Sequence, residues 1–471
     1  MHRTISRLHS DNDDLKIREG KKILQGLSAL KYELQHNKPW QAIVEDGLDD
    51  LASFNERHDV KSTPRWMELP YMYAEIYMYR YCDLIACVGD ADNMRSRIQN
   101  LFAISRSLKI YDPFERTKWQ MLEEAYLVMT DYAVEHHETI SELKDQDLPP
   151  HSKGRAATEW YHFRRSCNIA LGGEFARAYL YPSSEDTSET TARQNGPSTS
   201  ILADEAEAAF RVLAQARESA RSKRIIHIIV GTAGFDFFAD IILVSILLQF
   251  DLATKIVIDT KAFPFGMETT TEDIDILLDY IALSSERAET GETGRIAMLS
   301  LYDHIEHLRH QGKIVVRSHT AWSSPVAGRD LVTNCPELVE ELKAAELVIV
   351  KGDFVYRKFL GDVSASLPPF PIFLSWSRAL LPRAQRRITL THQQLQYPHT
   401  TTFTTALGPL GTGSGIRILA LRTIKSDLLV GVTDEDVRRV EEEGGKEWKD
   451  GGRYAVMQFS DGKAADAKLG G

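Results

Sequence analysis

The chain has 471 residues, a net charge of -11, 43% hydrophobic and 26% charged residues, enough for roughly two or three domains' worth of core. That acidic balance argues against a general affinity for nucleic acid or anionic membrane, since both need concentrated positive charge. The four cysteines, Cys82, Cys87, Cys167 and Cys335, form no Cys-x-x-Cys pair, so reduced thiols are expected rather than a disulfide framework. The amino terminus, Met1-His2-Arg3-Thr4-Ile5, has no apolar signal core. The longest apolar run, 241–248, is too short to span a bilayer. The expectation is a cytoplasmic protein, with the nucleus also open to it.

In chain order, residues 1–181 read as a helical region. Aromatic and aliphatic residues recur at helical spacing over 66–84, with Pro70 near a helix start. A second helix is predicted over 116–136, opened by Asp112-Pro113-Phe114, where Asp caps and Pro is tolerated in the first turn. Residues 182–200 are rich in Ser, Thr and Glu and read as a linker. A helix over 201–220 follows, opening an α/β domain over 201–471.

Strands and helices then alternate. Strands are predicted over 225–230, 255–259, 313–317, 347–350 and 416–420, with 453–459 closing the sheet. Helices are predicted over 235–249, 271–283 and 336–345. Such alternation implies a mostly parallel sheet with helices on both faces. Residues 367–396, with a Pro-Pro-Phe-Pro run and basic residues, read as a surface insertion.

Five polar clusters each follow a predicted strand, and an open α/β sheet gathers such segments at one edge. Gly231-Thr232-Ala233-Gly234-Phe235-Asp236 is a Gly-rich strand-to-helix turn, suited either to phosphate or simply to a tight connection. Lys261 to Thr270 carries Glu268, a candidate metal ligand or an ordinary solvated carboxylate. His319-Thr320-Ala321-Trp322-Ser323-Ser324-Pro325 offers a histidine, more often structural than catalytic. Lys351-Gly352-Asp353-Phe354-Val355-Tyr356-Arg357-Lys358 offers Asp353 as an acid, a base or a helix cap. It also offers Arg357 and Lys358 as anion contacts. Arg422-Thr423-Ile424-Lys425 adds cations able to clamp a phosphoryl group, or surface charge.

The Lys351–Lys358 run resembles the Lys-Gly-Asp-Leu-Asn-Tyr-Arg-Lys signature of the metal-dependent damage-control phosphatases, in their sugar-phosphate phosphatase branch. Arg422-Thr423-Ile424-Lys425 is similar to that family's Arg-Thr-x-Lys signature. Trp66 and Glu75-Ile76-Tyr77-Met78-Tyr79-Arg80 resemble its Trp…Glu-x-Tyr-x-Tyr-Arg helix, and Arg453-Tyr454-Ala455-Val456 its tail. The likeness runs from about residue 66 to 459. The branch was once described as acidic-residue methyltransferases, but no glycine-rich cofactor motif supports methyl transfer here.

The resemblance implies a three-layer α/β/α sandwich with a mostly parallel sheet and an N-terminal helical region. It implies a divalent metal (manganese, nickel, cobalt or magnesium) and hydrolysis of small phosphorylated substrates such as fructose 1-phosphate or fructose 6-phosphate. Asp353 would be catalytic. Tyr356, Arg357, Lys358, Arg422 and Lys425 would bind substrate, and Glu268 would bind metal.

The departures cluster. Two further metal-ligand positions of the family, Asp-Asn, fall at Gly231 and Thr232. The signature's Asn is Val355, and a Trp-Gly-Asn region is similar to Leu171-Gly172-Gly173. Asp236 and Asp240, one helical turn apart, are possible replacement ligands. Three expectations therefore stand side by side: an active phosphatase with rearranged ligands, an impaired relative that binds a phosphometabolite, and a repurposed enzyme of specialised metabolism.

Overall fold

A computed structural model describes residues 14–42, 54–55, 64–69, 71–83, 112–145, 153–180, 200–219, 221–361, 397–444, 448–449 and 452–464. The linker (apart from Ser200) and the insertion at 367–396 lie outside the described residues. Among the described residues the first long helices are α1 (Asp14–Gln35), α2 (Tyr71–Asp83), α3 (Glu115–Asp145) and α4 (Lys153–Leu180). Then follow β1 (Ser200–Asp204), α5 (Ala206–Glu218), β2 (Ile225–Ile229), α6 (Phe235–Gln249), β3 (Lys255–Thr260), α7 (Asp273–Ser285), α8 (Gly291–His310) and β4 (Ile314–Ser318). The chain continues through α9 (Pro336–Ala344), β5 (Leu347–Lys351), α10 (Gly352–Leu360), β6 (Ile418–Thr423), α11 (Asp434–Gly444) and β7 (Tyr454–Ser460).

The seven strands are ordered β1-β7-β6-β5-β2-β3-β4. The run from β6 to β4 is parallel throughout. β7 is antiparallel to β6, and β1 is parallel to β7. Five strands therefore end at one edge, which is where loops in an open parallel sheet meet.

Period-two alternation sends neighbouring side chains to opposite faces. Ile226, Ile228, Leu347, Ile349, Leu419 and Leu421 join α3, α4, α6, α7 and α8 in one core. Ile229, Val348, Val350, Ile418 and Ala420 join α9 and α10 in a second core on the other face. The result is a three-layer α/β/α sandwich. α6 is buried from Phe235 to Leu247, a helix largely apolar on every side apart from Asp236, Asp240 and Ser245, because α3 and α4 cover it from outside the sheet.

One predicted element is different. The helix expected over 201–220 begins as strand β1, and α5 starts only at Ala206. Ile201 and Leu202 pack into opposite cores, as a strand requires and a helix forbids. Asp204 then accepts the Ala206 N–H at 3.3 Å and turns the chain into α5.

A third, aromatic cluster docks the N-terminal helices onto the sheet edge. Trp40, Trp66, Tyr73, Ile76 and Tyr77 pack with Phe263 and Phe265 from the segment after β3. Tyr79 meets Phe265 edge-on at 4.6 Å, and Phe354 lies 4.9 Å beyond it. Among the described residues no helix is long and apolar enough to cross a membrane.

Phe265 is 4% exposed and central to this docking. Phe265→Ala is expected to weaken it by about 3–5 kcal/mol. The check is limited proteolysis, with faster cleavage around α1 and α2 and the α/β core still intact.

Candidate functional site at the carboxyl edge of the sheet

The site is organised around Asp353, in the first turn of α10. Gly352 has φ +82°, a conformation that suits glycine, and it swings the chain from β5 into the helix. Asp353 Oδ1 accepts from Arg422 Nε at 2.8 Å, from Ser426 Oγ at 3.0 Å and from the Lys425 N–H at 3.2 Å. Arg422 Nη2 stands 2.7 Å from the same oxygen. Arg357 Nη1, one turn along α10, is 3.9 Å from Oδ2. Burial pushes the Asp353 carboxyl up, but the Arg422 and Arg357 charges and the accepted hydrogen bonds outweigh it and hold it below the usual carboxylate range. It is a fixed carboxylate whose second oxygen carries the lighter load.

Arg422 is fully buried. Besides Asp353 it donates to the Leu428 carbonyl at 2.5 Å and stacks over the Tyr356 ring at 4.2 Å. Tyr356 donates to Gln458 Oε1 at 2.7 Å and lies parallel to Phe403. Burial pushes its phenol up to about 12. Tyr356 thus backs Arg422 from within the second core. Val355 is 1% exposed in that same core, so its apolar side chain packs there rather than at the edge. Arg357 is the largely buried cation beside Asp353, and the partly exposed Lys425 meets that carboxylate through its backbone N–H.

Across from them, the segments after β2 and β3 are zipped together. Thr232 and Glu268 form an antiparallel bridge. The Thr269 N–H and hydroxyl both donate to the Gly231 carbonyl, at 2.8 and 2.9 Å. Glu268 Oε2 stands 2.9 Å from Lys261 Nζ, which also donates to the Val230 carbonyl at 2.8 Å. The folding chain therefore brings positions 231, 232 and 268 together.

The donor set there does not fit a divalent cation. Gly231 has no side chain, Thr232 offers a neutral hydroxyl, and Glu268 already faces an ammonium. Hard cations want several oxygen ligands, usually with carboxylates among them. Among the described residues no three His, Cys, Asp or Glu side chains converge. Space at 231 is also tight: a Cβ there would stand 3.0 Å from the Lys351 carbonyl and 3.8 Å from the Gly352 Cα, so the end of β5 would have to give slightly to admit a side chain. The ends of β2 and β5 meet over this glycine. Asp240 is paired with Lys351 at 2.9 Å, and Asp236 is buried at the start of α6.

The remaining groups stand further from Asp353. Lys358 points behind α10 and donates to the carbonyls of Ser324 and Val326, at 2.5 and 2.7 Å. His319 caps its own short helix by accepting the Ala321 N–H, and burial lowers its pKa. The segment after β4 is tied in by the Ala262 N–H donating to Ser323 Oγ at 2.7 Å. Leu171 meets the edge through its backbone, accepting from Thr423 Oγ1 at 3.2 Å.

Two site residues carried no role in the sequence reading. Lys261 is 1% exposed and meets Glu268; a lysine directly after a buried strand is the signal that could have marked it. Ser426, the residue after the Arg-Thr-x-Lys match, completes the Asp353 cage.

Comparison with known proteins places the chain in a family. The damage-control phosphatase ARMT1-like domain matches residues 1–440. The chain is 26% identical to the Homo sapiens protein named damage-control phosphatase ARMT1, over 77% of each chain. It is 23% identical to the Xenopus tropicalis protein of that name, over 77% of this chain and 78% of the relative. Against the Danio rerio protein the identity is 22%, over 98% of this chain and 90% of the relative.

Removing the charge of Asp353 strands a buried guanidinium. Asp353→Asn is expected to cost about 3–5 kcal/mol, seen as a lowered Tm in calorimetry at pH 7. Because the native pKa lies below the ordinary one, this stabilisation is complete above the unfolded carboxyl range and lost as pH falls through the native value. Gly231→Ala is expected to cost about 1–3 kcal/mol by overpacking against the Lys351 carbonyl. A Tm equal to the parent's would show that the β2 and β5 ends can part freely.

Proposed function

Since the chain belongs to the ARMT1-like damage-control phosphatase family, we propose that its carboxyl-edge site takes the phosphate group of a small phosphorylated metabolite. The family consists of divalent-metal-dependent phosphometabolite phosphatases. The observation that carries the reading is the Asp353 hub. One fixed carboxylate is set between the guanidinium groups of Arg422 and Arg357 and the backbone N–H of Lys425, where neighbouring strands β5 and β6 end. Guanidinium and ammonium groups held this way match phosphate in charge and hydrogen-bonding geometry.

In this reading Arg357 and Lys425 contact the phosphate. Arg422 holds Asp353 in place, with Tyr356 packed behind it. Asp353 Oδ2 faces Arg357 and is the group placed to orient a substrate hydroxyl or an attacking water. Lys358 supports the helix that carries Asp353 and Arg357. Fructose 1-phosphate and fructose 6-phosphate are the substrates to try first, with manganese, nickel, cobalt or magnesium added. A divalent cation, when bound, neutralises phosphoryl charge. Glu268 is the one family ligand position here with a coordinating carboxylate. The compartment proposed is the cytoplasm, with the nucleus also open.

A second reading, phosphate binding with impaired hydrolysis, is favoured by one observation: position 231 has no ligand side chain, and a Cβ there would press on the Lys351 carbonyl. Hydrolysis of fructose 1-phosphate and of an aryl phosphate, with and without manganese, separates the two. Metal-stimulated turnover supports the phosphatase. No turnover, with fructose 1-phosphate still raising the Tm, supports the binding protein. Neither turnover nor a Tm shift would overturn both. Lys425→Ala is expected to weaken phosphate-ester binding roughly tenfold or more, through loss of a charge-assisted contact.

A further inference from the structure

Behind the phosphate contacts lies a buried charge without a counter-charge. Lys358 is 1% exposed. Its ammonium donates to two backbone carbonyls, those of Ser324 and Val326, and no carboxylate among the described residues pairs with it. Its neighbours in sequence on α10, Asp353 and Arg357, are engaged with Arg422 and with each other. A second buried ammonium, Lys261, repels it from the end of β3, and that ammonium already has Glu268. Among the described residues, the other ionisable groups on elements packed against α10 form no ion pair with Lys358, and the one carboxylate among them that is not already paired, Asp330, is exposed at the surface. Cys335 is a thiol at the start of α9. Lys351 of β5 is paired with Asp240, and Arg422 of β6 with Asp353. The turn at Gly328–Asp330 brings Arg329 and Asp330, and Arg329 lies against Gly361 at the helix end.

An ammonium buried beside another ammonium, with only carbonyl partners, is costly. Burial, then Lys261, lower the Lys358 pKa to about 7, with Cys335 opposing. An anion arriving at Arg357 and Lys425 changes that balance through a low-dielectric interior. We propose that Lys358 takes up a proton as the anion binds, so that the edge site holds its ligand less tightly in alkaline solution. The proposal rests on the phosphate-site reading above and adds its regulation by pH.

The sign follows from linkage. Below pH 7 Lys358 is already charged, and affinity is flat. Above it, binding must draw a proton from solution, so affinity falls by at most about tenfold per pH unit until the bound-state pKa is passed. Sulfate is the probe, since unlike phosphate it does not titrate in this range. Calorimetric titration of the full chain with sulfate at pH 8, in two buffers of different ionisation enthalpy, counts the protons.

The expected result is uptake of a fraction of a proton in the parent and in Cys335→Ser, with affinity falling several-fold from pH 7 to pH 9. Lys358→Met should still bind sulfate, with no uptake and no slope. Sulfate binding without uptake in the parent would overturn the proposal and leave the phosphate site standing. Uptake that persists in Lys358→Met would overturn it as well. No sulfate binding at any pH would remove the phosphate-site reading and this one together. Should Lys358→Met not fold, the proton count in the parent and Cys335→Ser decides the matter.

Discussion

The buried pair between Arg422 and Asp353 is the constraint on which the edge site depends. Arg422 is the penultimate residue of β6 and Asp353 lies in the first turn after β5. Their contact joins two neighbouring strands at the point where both chains leave the sheet. A guanidinium with no solvent exposure must have its charge met inside the protein. Asp353, Ser426 and the Leu428 carbonyl all converge on it. That demand fixes the β6 loop, which in turn sets Lys425 beside Asp353, while the helix places Arg357 one turn away. The cations that would meet a phosphate are thus positioned by a pair that need not touch it.

A second constraint acts on the other side of the edge. β2 and β5 are neighbours in the sheet, and their ends approach so closely at Gly231 that an added Cβ would press on the Lys351 carbonyl. The segment after β3 is stitched to this glycine by the paired donors of Thr269. The same close approach leaves little slack for a larger side chain at 231.

Above the edge, the aromatic docking of α2 couples the N-terminal helices to the site. Tyr79, Phe265 and Phe354 form a chain of ring contacts that ends one residue from Asp353, with Lys261 lying 5.6 Å over the Phe354 ring. Burying rings of this size gives the docking a substantial hydrophobic contribution. It also gives the charged groups at the edge an apolar wall, which strengthens their interactions by excluding water.

By itself the sequence determined the layer architecture, because β-branched runs alternating with helical periods can bury both faces only as a parallel sheet between helices. It also located the loops that carry Asp353, Arg357, Arg422, Lys425 and Glu268, since each follows a short apolar run. It did not distinguish β1 from a helix, because a five-residue edge strand joined directly to an amphipathic helix carries too few residues to show its own period. Nor could it say which way each polar side chain points. Asp353 and Arg357 turn to the edge while Tyr356, Lys358 and Val355, on the same helix, turn into the protein. Lys261 meets Glu268, and Gly231 meets the end of β5, only because strands distant in the chain lie side by side. Periodicity is a local property that a sequence displays directly. The partner of a buried charge and the room at a glycine are set by segments far apart in the chain, and only the tertiary structure decides them.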